Sequence, residues 1–252
     1  MATFKKDKLE VQSFASRQQM GIAAAGYVAN RIAQLLQIKD EANIVFAAAP
    51  SQNEFLAELI KKDIPWKKIN AMHMDEYIGL PDGAPQRFGQ FLDNAIFSKQ
   101  TFKSVNYLNG NAADPEIECE RYAGLLKIYP PDICCMGIGE NTHLAFNDPP
   151  VADFNDPHLV KVVELDAACC QQQVNDGCFD KLDAVPKNAI TLTIPALLMA
   201  NYIYCMVPGK TKAQAVKHTL NEPVSELYPS TILRQHNNAV LFIDDDSGSL
   251  AF

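Results

Sequence analysis

Short apolar runs typical of buried strands alternate along this chain with amphipathic segments of helical period. The strand-like runs lie at 43–50, 67–77, 103–108, 131–139, 158–165, 188–193, 201–207 and 239–244, and the helical periods at 13–37, 51–62, 87–97, 115–129 and 210–220. This alternation predicts a mostly parallel sheet with helices on both faces, a doubly wound, Rossmann-like three-layer α/β sandwich. No linker-like composition divides residues 1–252, so we expect a single domain.

Composition and charge limit the partners that the chain can have. Hydrophobic residues make up 48% and charged residues 21% of the 252 residues, as in globular proteins that bury their own core. A net charge of -8 offers no general basic surface to nucleic acid. The apolar stretch 189–207 contains Pro195 and Asn201, so we interpret it as core and expect no membrane partner. The N-terminus lacks the apolar region of a signal peptide, which predicts a cytoplasmic protein. The oligomeric state is left open, a homo-oligomer included.

Seven cysteines include the adjacent pairs Cys134-Cys135 and Cys169-Cys170. No CxxC or cysteine–histidine spacing suggests zinc, and neighbouring cysteines rarely bridge each other. We therefore expect buried free thiols and no bound metal.

Reactive residues follow four of the predicted strands, where ligands bind in parallel α/β sheets. These segments are Pro50-Ser51, Met74-Asp75-Glu76, residues 137–148 and Pro208 to Lys212. Ser51 and Glu54 fit a capping box, and phosphate binding by Ser51 and the amides that follow is the alternative. Asp75 and Glu76 should point to opposite faces of their strand, so Asp75 can face a cleft as a general base.

The segment "GIGENTHLAFND" (137–148) concentrates glycine, histidine, acids and amides. Thr142 stands where a dinucleotide-binding turn would have its third glycine, so no nicotinamide cofactor is expected. His143 is either an acid/base group or a hydrogen-bonded structural histidine. Lys210 and Lys212 oppose the dipole of the helix that follows, which suits a nearby anion, with solvated lysines as the alternative. His73 shares a face with Asp75, but two such residues do not define a metal site.

Four blocks resemble the glucosamine-6-phosphate deaminase/isomerase family in order and spacing. They are "MDEYIGLP" (74–81), "GIGENTHLAFNDP" (137–149), "VPKNAITLT" (185–193) and "PGKTKAQAV" (208–216), and the resemblance spans about residues 43–243. The related 6-phosphogluconolactonases have "DGHTASLFP" as their typical histidine block, so a lactonase-like hydrolase is the less favoured activity. The family fold is a doubly wound α/β sandwich, as the alternation predicts.

The resemblance implies conversion of glucosamine or galactosamine 6-phosphate to a ketose 6-phosphate and ammonia, with no cofactor. It assigns Asp75 as the proton-transfer base, His143 as the ring-opening acid/base and Asp148 as its carboxylate partner. Asn141, beside the histidine, completes the expected catalytic set. The expected substrate- and phosphate-binding residues are Ser51, Lys212, Gln173, Glu76 and Gly139. Residues 158–185 resemble a mobile lid.

This sequence departs from the family pattern at four positions that concern one ligand. Asn141 replaces an aspartate, Asp148 a glutamate and Gln173 the lid arginine, while "AAPSQ" replaces a glycine-rich "TGSTP" turn. These changes predict a divergent member with a changed sugar, such as galactosamine 6-phosphate. Its phosphate would be held by Ser51, Gln173, backbone amides and Lys212. The alternative is a catalytically weak sugar-phosphate sensor, which Asn141 and the missing arginine favour.

Overall fold

The computed structural model describes residues 2–175 and 177–251. Its strands are β1 (Ala2–Lys6), β2 (Leu9–Phe14), β3 (Ala42–Phe46), β4 (Ile69–His73), β5 (Asp75–Tyr77), β6 (Ser104–Asn106), β7 (Ile133–Met136), β8 (Val160–Glu164), β9 (Asn188–Leu192), β10 (Tyr202–Val207) and β11 (Ala239–Asp244). Its α-helices are α1 (Arg17–Leu35), α2 (Asn53–Leu59), α3 (Phe88–Ala95), α4 (Pro115–Ile128), α5 (Ala167–Asn175), α6 (Ile194–Leu198), α7 (Ala213–Asn221) and α8 (Asp245–Gly248).

Eight strands form the central sheet, in the order β1-β2-β11-β10-β7-β3-β4-β6. The strands from β2 to β6 in this order pair in parallel, and β1 pairs with β2 in antiparallel fashion. From β3 the chain proceeds outward to β4 and β6, then returns to β7 on the other side of β3. The topological switch therefore lies between β3 and β7, where parallel α/β sheets leave a crevice for ligands.

Apolar side chains cover both faces of the central sheet. Along β3, Ile44 and Phe46 pack into one hydrophobic cluster and Val45 into another. The first cluster includes residues of α1, α2 and α3, and the second includes residues of α4, α6 and α7. Burial on both faces is the reason that these strands read as continuous apolar runs. The predicted sandwich of a mostly parallel sheet with helices on both faces is confirmed.

A second, three-stranded antiparallel sheet has the order β5-β9-β8. Its existence corrects two expectations: residues 67–77 are not one strand, and the runs at 158–165 and 188–193 are outside the parallel sheet. The break falls at Met74, between β4 and β5. His73 stabilises this break, because its Nδ1 lies 2.9 Å from the Asp75 carbonyl oxygen and its Nε2 lies 2.9 Å from the Leu108 amide.

The partners of His73 assign its tautomer and its role. Nε2 accepts the Leu108 N–H, so the proton is on Nδ1 and is donated to the Asp75 carbonyl. Complete burial lowers the pKa of His73 to about 4, which keeps the imidazole neutral. His73 is therefore a structural residue with both ring nitrogens engaged.

An N-terminal hairpin, β1 and β2, extends the sheet beyond what the sequence predicted. Because β2 runs parallel to β11, its C-terminal end at Phe14 lies on the same edge as the other strand ends. The helix α1 begins three residues beyond this point, with Ser16 as its N-cap accepting from the Gln19 amide. The start of α1 thus belongs to the rim on which ligands are expected.

The predicted capping box at Ser51 is wrong. Residues Pro50–Gln52 form a 3₁₀ turn that leads into α2, and neither element has a side-chain cap hydrogen bond. The Glu54 carboxylate instead accepts from Nε and Nη2 of Arg17, at 2.9 and 3.0 Å. The guanidinium of Arg17 therefore holds the Glu54 carboxylate, and Ser51 is not a capping residue.

The remaining expectations about the whole chain concern cysteines and membranes. The seven cysteines are free thiols, and five of them are buried as expected, whereas Cys170 and Cys178 are partly exposed. Over residues 2–175 and 177–251, no helix has the length and apolar character needed to cross a bilayer.

Candidate functional site

A cavity of about 380 Å³ opens at the C-terminal edge of the central sheet, within the volume range of small-molecule sites. All four segments that the sequence placed on the rim, after β3, β4, β7 and β10, contribute to its wall. Of the nine expected site residues, six line it: Asp75, His143, Ser51, Lys212, Gln173 and Gly139.

Asp75 is the first residue of β5, and the register of the second sheet fixes its position opposite Thr191. The residue is buried, and it lines the cavity. Burial raises the pKa of Asp75 well above its usual value, and the charge of Glu76 raises it further. A carboxyl whose pKa is shifted upward is a stronger proton acceptor once it is ionised.

Glu76 faces away from the cavity, toward the start of α3. Its carboxylate accepts from the backbone N–H groups of Phe88 and Gly89, at 3.0 and 2.9 Å. Burial raises the pKa of Glu76, while these amides and Arg87 oppose the shift. The sequence had predicted Glu76 as a substrate-binding residue, but its side chain does not line the cavity. Glu76 instead holds the N-terminus of α3 next to β5.

His143 and Asp148 form a buried pair in the loop after β7. Nδ1 of His143 lies 2.8 Å from Oδ1 of Asp148, with the N–H direction off line, as is common in catalytic pairs before substrate binds. Burial raises the pKa of Asp148, but hydrogen bonding and charge from His143, with help from Asn141, bring it below its usual value. Asp148 and Asn141 do not line the cavity; they position the imidazole.

The absence of a side chain at Gly139 leaves the space that the His143 imidazole occupies. A Cβ on Gly139 would overlap Cε1, Nε2 and Cδ2 of His143. The Gly139 amide also donates to the His143 carbonyl oxygen at 3.0 Å, which closes the loop. Because the ring lies against this Cα, the second glycine of "GIG" has a packing function rather than a dinucleotide-binding one.

The opposite part of the wall collects groups that suit an anion. Ser51 follows β3, Lys212 closes the 3₁₀ turn after β10, and Gln173 comes from the last turn of α5. Lys212 is buried, whereas Lys210 is exposed. Arg17, at the start of α1, also lines the cavity and was missed by the sequence interpretation.

Within the described ranges, one group of three side chains could hold a metal ion: His143, Asp148 and Cys169. Their ligand atoms lie within 4.8 Å of one another and all three residues are buried. The nitrogen, oxygen and sulfur donors would suit zinc. The Cys169 thiol also hydrogen-bonds the Asp148 carboxylate, so the same residues equally form a proton-transfer pair backed by a thiol. Sequence reasoning missed Cys169 because α5 approaches Asp148 only in the folded chain.

A family model, described as glucosamine-6-phosphate isomerases/6-phosphogluconolactonase, matches residues 15–242. The chain belongs to this family. It is 35% identical over 211 residues to a glucosamine-6-phosphate deaminase of Listeria innocua, covering 83% of this chain and 88% of that protein. It is 34% identical over 229 residues to a glucosamine-6-phosphate deaminase of Bacillus thuringiensis, covering 91% of this chain and 85% of the relative.

Solved structures of family members agree with the fold. A monomeric glucosamine-6-phosphate deaminase superposes with a TM-score of 0.87 at 28% identity, covering 95% of this chain and 99% of the other. A 6-phosphogluconolactonase of Thermotoga maritima gives a TM-score of 0.77 at 20% identity, covering 94% of this chain and 100% of the other, and shows the fold alone.

Proposed function

We propose that this protein converts a 2-amino-2-deoxyhexose 6-phosphate and water to a ketose 6-phosphate and ammonia. The observation that carries the proposal is that Asp75 and His143 line the same cavity as Ser51 and Lys212. A base, an acid/base and an anion-binding end are the groups that this reaction needs on one sugar phosphate. The relatives named glucosamine-6-phosphate deaminase support the same substrate class.

His143 opens the sugar ring. Its Nε2 takes the proton of the C1 hydroxyl and returns a proton to the ring oxygen as the bond between C1 and that oxygen breaks. The product is the open-chain amino aldehyde. Asp148 stabilises the transient imidazolium because its carboxylate lies 2.8 Å from Nδ1.

Asp75 transfers the proton between carbon atoms. It removes the proton from C2 while O1 gains a proton from the C2 ammonium group, which gives a neutral enolamine, and then delivers its proton to C1. The nitrogen lone pair forms a C2–N double bond in this step. Water adds to C2, and ammonia leaves as the C2 carbonyl forms. The raised pKa of Asp75 suits a group that must both accept and return a proton.

Ser51, Lys212 and Gln173 bind the phosphate in this proposal. Lys212 supplies a positive charge, and Ser51 and Gln173 supply neutral hydrogen bonds. Residues 158–185 act as the lid, because Gln172, Gln173, Gly177 and Cys178 from this region line the cavity. Closing of a lid predicts slower proteolysis of this segment when inorganic phosphate or substrate is added.

A substrate panel tests the proposal. Glucosamine 6-phosphate, galactosamine 6-phosphate and 6-phosphogluconolactone are each incubated with the wild type and with Asp75→Asn, and ammonia and ketose 6-phosphate are measured. We expect equal amounts of both products from at least one amino sugar, and their loss in the variant. Binding without turnover would support a sensor, and lactone hydrolysis without ammonia a lactonase; either result contradicts the proposal.

A further inference from the structure

A second permanent cation stands at the anion-binding end of the cavity. Arg17 is the first residue of α1, and it reaches this end because β2 runs parallel to β11 and finishes on the same rim. It lines the cavity together with Ser51, Gly209 and Lys212. The resemblance to the family assigns no role to this position.

The guanidinium of Arg17 is held in a defined plane. Nε and Nη2 donate to the two carboxylate oxygens of Glu54, and Nη2 also donates to the Pro50 carbonyl oxygen at 3.0 Å. Nη1 lies 3.6 Å from the point where a Cβ on Gly209 would stand. Gly209 has φ +94°, a conformation that favours glycine, and no side chain separates the guanidinium from this turn.

The position of Arg17 matters because the phosphate group of the substrate is negatively charged. Among the cavity-lining residues that the structure describes, Arg17 and Lys212 carry the permanent positive charges. Gln173, which lines the same cavity, is neutral. A second cation favours a phosphate dianion in a protein of net charge -8, and the Nη1 side of the guanidinium, beside Gly209, is the side from which Arg17 would donate a charge-assisted hydrogen bond to it.

We infer that Arg17 binds the phosphate group of the substrate and is, with Lys212, one of the two cations of that subsite. This inference rests on the proposed function and identifies a further residue of the same site. Since Glu54 and Pro50 hold the guanidinium on a helix, the phosphate subsite exists before the lid closes. Inorganic phosphate should therefore bind to the protein without a sugar.

The test compares inorganic phosphate binding by calorimetry in wild type, Arg17→Met, Arg17→Lys and Glu54→Gln. Loss of a charge-assisted contact should weaken phosphate binding by about 10- to 100-fold in Arg17→Met, with a smaller loss in Arg17→Lys. KM for the active amino sugar 6-phosphate should rise by the same factor, while kcat changes by less than about threefold.

Glu54→Gln separates binding from packing, because it weakens the link between α1 and α2 but keeps the cation. Because Pro50 still holds the guanidinium and the competing carboxylate charge is removed, we expect it to retain phosphate affinity within about threefold. If Arg17 only joins the two helices, Arg17→Met and Glu54→Gln will lower the unfolding midpoint equally and leave phosphate affinity unchanged, which overturns the inference. Calorimetry needs no turnover, so an inactive wild type would contradict the proposed function without deciding the role of Arg17.

Discussion

Asn141 donates its side-chain N–H to Oδ1 of Asp148, the same oxygen that lies 2.8 Å from Nδ1 of His143. The amide oxygen of Asn141 accepts the backbone N–H of His143 at 3.2 Å. The amide therefore joins both members of the pair and supports the low pKa of Asp148. An aspartate at this position could accept from the backbone but could not donate to Asp148.

Asn141→Asp, which introduces the residue that the family resemblance predicted here, is expected to impair this protein. Two carboxylates would face each other at about the present 2.8 Å in a buried site, and one would have to bind a proton. We expect kcat/KM to fall at least tenfold at pH 8 and the free energy of unfolding to fall by about 1–3 kcal/mol.

The destabilisation by Asn141→Asp should depend on pH in a defined direction. The pKa of the added carboxyl is raised above its unfolded value, so the destabilisation is absent below the unfolded pKa of about 4, grows as pH rises above it and is complete above the raised folded pKa. Urea unfolding and kcat/KM measured from pH 4 to 8 check this, with the exposed Asn94→Asp as control. A gain of activity at all pH values would mean that the amide is a defect.

Gly139→Ala should displace the imidazole of His143, since the added methyl overlaps three ring atoms. A shift of about 1 Å in a catalytic group costs about 100-fold in rate, and we expect a loss of that size in kcat/KM. Inorganic phosphate binding, at the other end of the cavity, should be retained.

Gly124→Ala is the matched control, because a Cβ there meets no atom within 4 Å. In the middle of α4 it should stabilise the protein by up to about 1 kcal/mol and leave kcat/KM unchanged. Wild-type kcat in Gly139→Ala would show that His143 is not the ring-opening group.

The central sheet could be predicted because β3, β7, β10 and β11 are apolar on both faces, which leaves a signal in the sequence itself. The second sheet could not, because β5 has three residues and its separation from β4 depends on His73 bonding the distant Leu108 amide. The strand β1 contains lysines, as edge strands commonly do, so its pairing with β2 could not be predicted from an apolar pattern.

Some residues of the candidate site could likewise be predicted from the sequence, and others could not. Asp75 and His143 follow strand ends, so the rule for parallel sheets places them on the rim. Arg17 follows a strand that the sequence did not reveal, and Cys169 approaches Asp148 through packing of α5. The spacing of Ser51 and Glu54 also predicted a capping box, whereas the residue that Glu54 actually binds, Arg17, lies 37 positions away in the sequence.

Chelators should leave the activity unchanged. Nδ1 of His143 and Oδ1 of Asp148 are 2.8 Å apart, closer than the roughly 3.3 Å between two ligands of a tetrahedral zinc ion. The pair is therefore closer together than two ligands of one zinc ion would be. Added Zn²⁺ should inhibit by spreading the pair and binding the Cys169 thiolate as third ligand.

Cys169→Ala identifies this mode of inhibition. The inhibitory concentration of Zn²⁺ should rise about 10- to 100-fold in the variant, as when a metal-site partner is removed. The exposed Gln171→Ala, on the same helix, is the control. Loss of activity after dialysis against EDTA, restored by metal, would reverse the prediction of a metal-free reaction.

Asp75→Asn should abolish turnover and at the same time stabilise the fold. Removing a general base costs about 100- to 10,000-fold in kcat. Because burial makes the pKa of Asp75 higher in the folded than in the unfolded chain, its ionisation opposes folding. This unfavourable contribution is absent below the unfolded pKa of about 4 and complete above the raised folded pKa.

The variant and the wild type should therefore have similar unfolding free energies near pH 4, and the variant should be the more stable of the two as pH rises to 8. Urea titrations at several pH values measure this difference, with the exposed Asp40→Asn as the control variant. A variant less stable than wild type at pH 8 would mean that ionised Asp75 is compensated in the fold and is not held as a strained, reactive base.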